Sequence, residues 1–466
     1  MNEQQREKIH AYIDAQRETM IDSLATLIRI PSVKEPPATD APFGTECARA
    51  LHHTLALAEQ LGMATKNLDN YIGYAELGEG DSLFGLLCHL DVVPEGDGWI
   101  HPCFGAEIED GKMYGRGVLD DKGPALSALY AMAAIREAGI PLKRRVRLLL
   151  GCDEESGWED IAYYRQHDVL PDMAISPDGG YPVVNVEKGI LQVALRGEWA
   201  AASEERRLLS IIGGTRPNVV PGKAEAVVAG VTIEEIRGAI NALSSEIAID
   251  FDVQEASGGA SITAIGLGAH ASHPEMGRNA ISGLLQLLNR LALDANGGRD
   301  TVARLAAAFP LDGHDGHAVG IRMEDQISGP LTCNLGLIEG GDGMLQATVD
   351  LRIPLSASSE AIMQLLGSET GLSSTLTSFS APHYVSEKSE LVQTLLDVYA
   401  KETGLPSYCY AIGGGTYARA IENAVTFGCL FPGEADTMHQ PEECVSLDNF
   451  ILNTKIIAAA IVALCG

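Results

Sequence analysis

The sequence predicts an α/β fold that is interrupted by an inserted α+β domain. Over residues 1–186, short apolar runs bounded by Gly and Asp alternate with helical periodicity, which is typical of a sheet with helices on its faces. Strands separated by Gly-rich turns replace this pattern from about residue 189, and the alternation returns after about Pro382. We therefore expect a mixed sheet flanked by helices, built from residues 1–186 and 383–466, with a second domain over residues 187–382.

Each predicted element rests on the spacing of its apolar residues. Helices, in which apolar residues recur about every 3.6 positions, are predicted at 4–29, 45–61, 124–138, 232–244, 280–293 and 390–403. Strands, which are short apolar runs between turn residues, are predicted at 71–77, 82–89, 146–152, 173–176 and 424–430. The last apolar run, IIAAAIVALC, is shorter than the roughly 20 residues that span a bilayer, and we expect it to lie in a core helix.

Composition and charge disfavour several classes of function. The 466 residues carry a formal net charge of −30, which disfavours binding to nucleic acid or to an anionic membrane. The N-terminus, MNEQQREKIHAYIDAQ, is polar and helical in pattern, unlike a secretory signal. The nine cysteines are scattered and form no C-x-x-C pair, which suits a reducing cytoplasm and predicts neither disulfides nor a Cys-rich zinc site. We expect a cytoplasmic protein.

Histidine and carboxylate residues stand at turns or directly after the predicted strands. They are His89, Asp91, Asp120, Glu154, Glu155, Asp178 and His439. Taken alone, each resembles an ordinary surface residue, because charged residues are mostly exposed. Together they supply five potential metal ligands and a spare carboxylate, which matches the bridging and terminal ligands that two divalent ions need. The set predicts a two-metal hydrolase in which Asp91 holds the second ring nitrogen of His89.

A group of motifs carries a resemblance to a known family. They are CHLDVVPEGDGW, YGRGVLDDKGP, DEESGWED, ISPDGG, GLGAHASHPEMGRNA and MHQPEE. They resemble the M20 family of di-metal aminoacyl hydrolases, and the DEESGWED form and the long insertion look most like its PepV-type dipeptidases. The resemblance implies a catalytic α/β domain with an inserted lid domain, and two Zn²⁺ ions, for which Mn²⁺ or Co²⁺ are alternatives. It also implies a metal-dependent dipeptidase that acts on unblocked dipeptides.

The same resemblance implies a role for each candidate residue of the metal site. The ligands are divided between two ions, with His89, Asp120 and Asp178 on one and Asp120, Glu155 and His439 on the other. Two adjacent glutamates suit this chemistry, because one binds metal while Glu154 stays free as the general base. Asp91 would be the partner of His89. The family's cis peptide bond after the bridging aspartate is expected between Asp120 and Asp121.

The resemblance also implies substrate contacts, mostly from the inserted domain. His270, in GAHASHP, would stabilise the tetrahedral oxyanion as a hydrogen-bond donor. Asn218 and Arg352 would bind the substrate near its C-terminal carboxylate, for which an arginine fork is well suited. Backbone N–H groups of a Gly-rich loop could contact the same carboxylate, at Gly414, Gly415 and Thr416. This loop has no Lys-Ser/Thr sequel and is therefore not a nucleotide P-loop.

A histidine from the inserted domain and metal ligands from the other domain imply hinge closure of a lid over a short peptide. Because the enlarged lid of PepV-type members fills the role of a partner subunit, we expect a monomer. The same scaffold serves N-acyl-amino-acid deacylases and desuccinylases, from which metal ligands alone do not distinguish a dipeptidase. A non-catalytic metal- or peptide-binding protein is a further alternative, which an intact Glu154 disfavours.

Overall fold

The computed structural model describes residues 1–200, 205–243, 247–341 and 343–466. The chain divides into two compact units. The main unit contains Met1–Asn185, Val385–Tyr410 and Gly415–Gly466. The inserted unit contains Val186–Tyr384 and Ala411–Gly414.

Helices and strands alternate in the main unit, and strands are more frequent in the inserted unit. Within the described residues the α-helices are α1 (Glu3–Ala15), α2 (Arg17–Ile28), α3 (Thr45–Gln60), α4 (Lys122–Glu137), α5 (Glu159–His167), α6 (Ile233–Leu243), α7 (Ala280–Arg290), α8 (Gly297–Ala308), α9 (Ser359–Thr370), α10 (Glu390–Thr403) and α11 (Leu447–Cys465). The strands are β1 (Ala64–Leu68), β2 (Ile72–Leu77), β3 (Leu83–His89), β4 (Glu107–Glu109), β5 (Lys112–Tyr114), β6 (Arg145–Gly151), β7 (Met173–Ser176), β8 (Val183–Glu187), β9 (Gly189–Glu198), β10 (Arg207–Gly213), β11 (Val219–Val220), β12 (Lys223–Ala229), β13 (Asp250–Ala256), β14 (Gly259–Ile265), β15 (Ala269–His270), β16 (Glu324–Asp325), β17 (Gly329–Pro330), β18 (Thr332–Gly341), β19 (Met344–Ile353), β20 (Ser373–Ser380), β21 (His383–Tyr384), β22 (Cys409–Ile412), β23 (Ala424–Thr426) and β24 (Cys444–Ser446).

The main unit is built on a mixed sheet whose strands run in the order β1-β2-β6-β3-β7-β23-β8. The pairs among β6, β3, β7 and β23 are parallel, and the outer pairs are antiparallel. Successive side chains of a strand point to opposite faces of its sheet. Accordingly, Leu86 and Leu148 join the core that contains α4 and α11, whereas Leu87 and Leu149 join the core that contains α5. Helices cover both faces, which confirms the predicted mixed α/β sheet.

Two elements of the main unit differ from the prediction. The single helix predicted at 4–29 is two helices, and Gln16 caps the end of α1 and the start of α2. The strand predicted at 424–430 ends at Thr426. Gly428 has a φ of 94°, which takes the chain out of the extended conformation soon after that strand.

The C-terminal apolar run forms the second half of α11. Among the described residues, this helix is the one that is long and apolar enough to cross a membrane. Its most apolar window is 72% buried inside the structure, and the helix packs against α4 and α10. This packing is that of the expected core helix, whose apolar surface is covered on several sides.

The inserted unit is built on an antiparallel sheet in the order β13-β14-β12-β10-β18-β19-β9-β20. Helices α6 to α9 share one hydrophobic core with this sheet. The helix predicted at 280–293 is observed as α7, and the helix predicted at 232–244 is observed as α6, with position 244 outside the described residues. A separate ribbon pairs β11 with β15, so that Val219 lies opposite His270.

Candidate active site

The candidate active site forms where three parallel strands of the main sheet end. His89 is the last residue of β3 and pairs with Gly151, the last residue of β6. The turn after β6 carries Glu154 and Glu155, and Asp178 follows the end of β7 by two residues. The carboxyl ends of parallel strands meet at one edge of a sheet, which is where α/β proteins bind ligands. The topology therefore brings these residues together although they are far apart in sequence.

The two ring nitrogens of His89, which is 1% exposed, have different surroundings. Nδ1 lies 2.9 Å from the backbone carbonyl oxygen of Asp91 and 3.5 Å from Asp91 Oδ1, so Asp91 contacts this nitrogen chiefly through its main chain. Because a carbonyl oxygen only accepts, the neutral ring carries its proton on Nδ1 and its lone pair on Nε2. Nε2 lies 2.9 Å from Asp120 Oδ1 and 3.7 Å from Asp178 Oδ2. A lone pair that faces carboxylates is typical of a metal-binding histidine.

Asp120 lies between two histidines at the turn that enters α4. The peptide bond between Asp120 and Asp121 is cis, which confirms that prediction. Asp120 Oδ1 lies 2.9 Å from Nε2 of His89, and Oδ2 lies 2.7 Å from Nε2 of His439. The same nitrogen of His439 is 3.1 Å from Glu155 Oε1. A single carboxylate thus presents each of its oxygens to a different histidine.

Two groups of candidate metal ligands occur among the described residues. The ligand atoms within each group lie within 4.8 Å of one another. The groups are His89, Glu154 and Asp178, and Asp120, Glu155 and His439. The second group has the same members as one predicted ligand set, whereas in the first group Glu154 stands where the prediction has Asp120. Because Asp120 Oδ1 is also close to His89 Nε2, the division of ligands between ions stays a prediction.

Buried atoms without partners test whether a metal fits this site. In the described part of the chain, Glu154 Oε1 is buried and has no hydrogen-bond partner. The lone pair of neutral His89 Nε2 faces a carboxylate oxygen rather than a donor. A buried polar atom without a partner costs about 1–3 kcal/mol, and more when it is charged. Divalent cations would satisfy these atoms, and a mixture of imidazole and carboxylate ligands suits zinc and other transition metals. The residues present therefore fit a divalent metal centre.

Burial and the closeness of several carboxylates shift the pKa values of the residues in this site. Burial and then the negative charge of Asp120 raise the pKa of Glu155 and of Asp178. Burial also raises the pKa of Glu154 well above its ordinary value. For His439, burial by itself lowers the pKa, but the charges of Glu155 and Asp120 raise it well above the ordinary value. Raised pKa values favour the protonated forms of these groups, so a divalent cation would compete with protons for the same atoms.

Two buried carboxylates hold the turn that carries Glu154 and Glu155. Asp91 Oδ1 accepts the backbone N–H of Glu154 at 3.2 Å, and its Oδ2 accepts that of Glu155 at 3.1 Å. Asp160 Oδ2 accepts the backbone N–H groups of residues 152–153, both at 2.8 Å. Burial and the charge of Asp91 raise the pKa of Asp160 to about 7. Sequence reasoning missed Asp160, and its place at the end of DEESGWED is the signal that could have identified it.

Asn218 and His270 lie next to each other in the ribbon of β11 and β15. Val219 pairs with His270, and the backbone N–H of Ala271 donates to the carbonyl oxygen of Asn218 at 2.9 Å. Asn334, which sequence reasoning missed, is buried and donates to the carbonyl oxygens on either side of Asn218, each at 3.0 Å. The inserted unit thus brings together two of the residues that are predicted to contact substrate.

Ser272 determines which tautomer of His270 is present. Its hydroxyl lies 2.5 Å from His270 Nδ1, and its backbone N–H donates to the same nitrogen at 3.3 Å. Because an N–H group only donates, Nδ1 is the acceptor and the neutral ring carries its proton on Nε2. That tautomer is the one that can donate a hydrogen bond to an oxyanion.

Arg352 is 3% exposed and is held by two partners of the inserted unit. Its Nε donates to Asp350 Oδ1 at 2.7 Å, and one of its terminal nitrogens donates to the carbonyl oxygen of Gly413 at 2.6 Å. Asp350 is fully buried and also accepts from the side-chain amide of Gln192 at 2.9 Å. The predicted carboxylate clamp is therefore anchored beside the start of the Gly-rich loop.

The Gly-rich loop crosses the division between the two units, with Gly414 in the inserted unit and Gly415 and Thr416 in the main unit. Thr416 is 5% exposed, and its hydroxyl accepts from the backbone N–H of Ala418 at 3.2 Å as the cap of a 3₁₀ helix. The hydroxyl also forms a hydrogen bond with Thr426 at 3.0 Å. This side chain has a structural role, and contacts of the loop backbone with a substrate stay a prediction.

Comparison with known proteins identifies the family of this chain. Residues 85–463 match the peptidase family M20/M25/M40. The chain is 37% identical over 452 residues to a putative dipeptidase, YtjP, of Bacillus subtilis, covering 96% of this chain and 97% of that protein. It is 34% identical over 457 residues to the Beta-Ala-Xaa dipeptidase of Lactobacillus delbrueckii subsp. lactis, covering 96% of each chain.

Solved structures share the fold. Human carnosine dipeptidase 1 superimposes with a TM-score of 0.62 at 17% identity, covering 98% of each chain. The dipeptidase Dug1p of Saccharomyces cerevisiae superimposes with a TM-score of 0.62 at 13% identity, covering 99% of each chain. The family match and the two relatives, at 37% and 34% identity, define a hydrolase of the metallopeptidase class. The chain belongs to peptidase family M20/M25/M40, which confirms the resemblance to the M20 family.

Proposed function

We propose that this chain is a dipeptidase that uses two divalent ions to hydrolyse the peptide bond of short unblocked peptides, mainly dipeptides. The position of Asp120 carries the proposal, because its two oxygens lie 2.9 Å and 2.7 Å from nitrogens of His89 and His439. A carboxylate in this position is suited to bridge ions about 3.5–4 Å apart. The similarity to a putative dipeptidase and to a Beta-Ala-Xaa dipeptidase supports the substrate class.

The metal ligands in this proposal form two sets that share one residue. The sets are His89, Asp120 and Asp178, and Asp120, Glu155 and His439. Imidazole and carboxylate ligands suit Zn²⁺, and Mn²⁺ or Co²⁺ would also be accepted. When bound, the ions lower the pKa of a water molecule and polarise the carbonyl of the peptide bond.

Glu154 is the proposed general base. Its Oε1 is buried and has no hydrogen-bond partner among the described residues, so this oxygen can accept the proton of the attacking water. Glu154 then transfers that proton to the leaving amine. Asp91 keeps the base in place, because it accepts the backbone N–H groups of both Glu154 and Glu155.

We propose that residues 187–382 act as a lid over a catalytic domain of residues 1–186 and 383–466. His270 donates from Nε2 to the oxyanion that forms when water attacks the peptide carbonyl. The C-terminal carboxylate of the peptide is bound by residues of the lid and of the Gly-rich loop. They are Asn218, Arg352, Gly414, Gly415 and Thr416.

We also propose an oligomeric state and a cellular location for this protein. The large lid supports a PepV-type enzyme that acts as a monomer in the cytoplasm, with no nucleic-acid or membrane partner. The acidic composition, with a net charge of −30, agrees with the absence of those two partners. Light scattering that shows an obligate dimer would contradict the monomer.

Replacement of Glu154 tests the proposed base. Glu154→Ala and the isosteric Glu154→Gln are expected to keep their metal and to lose turnover by about 10²- to 10⁴-fold, the usual contribution of a general base. The matched control is Glu159→Gln, because the Glu159 side chain is 66% exposed and close in sequence. Turnover and metal content are measured on the same samples. Near wild-type turnover of either Glu154 variant would show that another residue is the base.

A substrate panel tests the dipeptidase proposal against its nearest alternatives. Metal-replete protein is assayed with unblocked dipeptides, including β-alanyl dipeptides, and with N-acetyl and N-succinyl amino acids. We expect the dipeptides to be hydrolysed with the highest kcat/KM. Preference for an N-acyl substrate would indicate a deacylase or desuccinylase, and hydrolysis of none of them would indicate a metal- or peptide-binding protein.

A further inference from the structure

Glu443 is a fully buried carboxylate that the proposed mechanism does not use. It lies four residues after His439, yet its side chain reaches the turn that carries Asp120. Its Oε1 accepts backbone N–H groups from Gly117 at 3.0 Å, Leu119 at 2.9 Å and Asp120 at 3.3 Å. A single oxygen of Glu443 therefore accepts three of the backbone N–H groups of residues 117–120, the segment that ends at the proposed bridging aspartate.

The second oxygen of Glu443 pairs with Arg116, which is 1% exposed. One terminal nitrogen of Arg116 donates to Glu443 Oε2 at 2.8 Å and to the carbonyl oxygen of Gln440 at 3.2 Å. The other donates to the carbonyl oxygen of Glu95 at 3.3 Å. The backbone of Glu443 takes part as well, since its carbonyl oxygen accepts the N–H of Gly115 at 2.9 Å. The pair thus joins the segment of the bridging aspartate to the segment of His439.

The free energy needed to bury the Glu443 carboxylate indicates that its contacts have a structural role. Transfer of a carboxylate out of water costs several kcal/mol, which only good geometry and additional hydrogen bonds offset. Three backbone N–H groups and a guanidinium supply those bonds to Glu443. An arrangement of this kind has one defined geometry, so it fixes the backbone from which the Asp120 side chain extends.

The geometry points to Glu443 as a positioning residue that sets the affinity of the metal site by holding Asp120 between His89 and His439. This inference rests on the proposed function, because it requires that Asp120 bridges two ions. Since each oxygen of Asp120 lies against a different histidine, a shift of its backbone disturbs both ligand sets at once. Loss of Glu443 should therefore weaken the binding of both ions.

Zinc titration of Glu443→Gln tests the inference. Glutamine keeps an oxygen for the backbone N–H groups, but it is neutral and cannot accept from Arg116 through its amide nitrogen. Residues that support metal ligands typically change metal affinity by about 10- to 100-fold when replaced. We expect zinc affinity, measured by competition with a chromogenic chelator, to fall by that factor for two equivalents per chain. KM for a dipeptide at saturating zinc should stay within about twofold of the wild type, because metal-supporting contacts differ from substrate contacts.

Two controls separate positioning from general destabilisation. Glu107→Gln removes an exposed glutamate of β4 and should bind zinc like the wild type. Ile13→Ala, at a fully buried site of α1, should lower the melting temperature without changing zinc affinity. If Glu443→Gln shows no cooperative melting transition, Glu443→Asp replaces it, because aspartate keeps the charge and shortens the reach.

The outcomes distinguish this inference from the proposed function. A folded Glu443→Gln or Glu443→Asp protein that binds zinc within twofold of the wild type overturns the role of Glu443. Reduced affinity that Ile13→Ala reproduces at an equal melting temperature overturns it as well. A wild-type protein that binds no divalent ion would instead refute the metal site itself.

Discussion

Replacement of Asp91 by asparagine tests whether Asp91 positions the turn that carries Glu154, the proposed base, and Glu155, a proposed metal ligand. Asp91 is 1% exposed, and its two oxygens accept the backbone N–H groups of Glu154 and Glu155 at 3.2 Å and 3.1 Å. Asparagine has one acceptor oxygen, so its NH₂ group must face one of these N–H groups, donor against donor. The change therefore removes one hydrogen bond to a charged acceptor and leaves a partly buried N–H unpaired.

A hydrogen bond to a charged group contributes about 1.5–3 kcal/mol, and each 1.36 kcal/mol corresponds to a tenfold change in rate. We therefore expect Asp91→Asn to lower kcat by about 10- to 150-fold if the whole loss falls on the position of Glu154 in the transition state. KM should change little, because Asp91 contacts the turn and His89 rather than the predicted substrate residues.

The assay is steady-state hydrolysis of a dipeptide with metal-saturated protein, together with the metal content and melting temperature of each sample. Asp81→Asn is the matched control, since Asp81 is exposed just before β3. Wild-type kcat for Asp91→Asn would mean that the two N–H contacts of Asp91 do not control the position of the base. A fall in kcat that is matched by loss of metal would assign the effect to Glu155 instead.

Two further predictions concern the inserted unit. Ser272→Ala removes the hydroxyl that lies 2.5 Å from His270 Nδ1 but keeps the backbone N–H that donates to the same nitrogen. One neutral hydrogen bond contributes about 0.5–1.5 kcal/mol, so kcat should fall about 2- to 12-fold at unchanged KM. An unchanged kcat would show that the Ser272 hydroxyl does not help to position His270. Arg352→Lys keeps a positive charge beside Asp350 but loses the planar fork, so KM for dipeptides should rise about tenfold while KM for dipeptide amides stays constant. An equal rise for both substrate types would show that Arg352 does not bind the C-terminal carboxylate.

Strand ends explain why the convergence of several candidate metal ligands is predictable from sequence. His89, Glu155 and Asp178 each follow a short apolar run, and the runs form neighbouring parallel strands. Because such strands end at one edge of the sheet, a sequence that places polar residues after each run already implies their convergence. His439 and Asp120 lie in turns outside those strands, so strand ends alone do not predict that they join the other residues, and the family motifs supply that expectation.

Other features depend on tertiary contacts that no local pattern encodes. Glu443 is the second of two adjacent glutamates in MHQPEE, and only the fold shows that its side chain is buried against the segment of Asp120. In the sequence alone, Asp160 resembles an ordinary acidic residue at the start of a helix, where such residues are common. The break at Gln16 has no Gly or Pro to mark it, so the apolar pattern reads as one continuous helix. The grouping of Glu154 with His89 depends on side-chain conformations rather than on spacing.

A crystal structure of the zinc-loaded protein, with anomalous diffraction measured at the zinc edge, would test directly whether Asp120 bridges two ions. We predict two anomalous peaks about 3.5–4 Å apart, with one oxygen of Asp120 on each ion and with His89 and His439 on different ions. A single ion, or two ions that Asp120 does not connect, would show that Asp120 is not a bridging ligand.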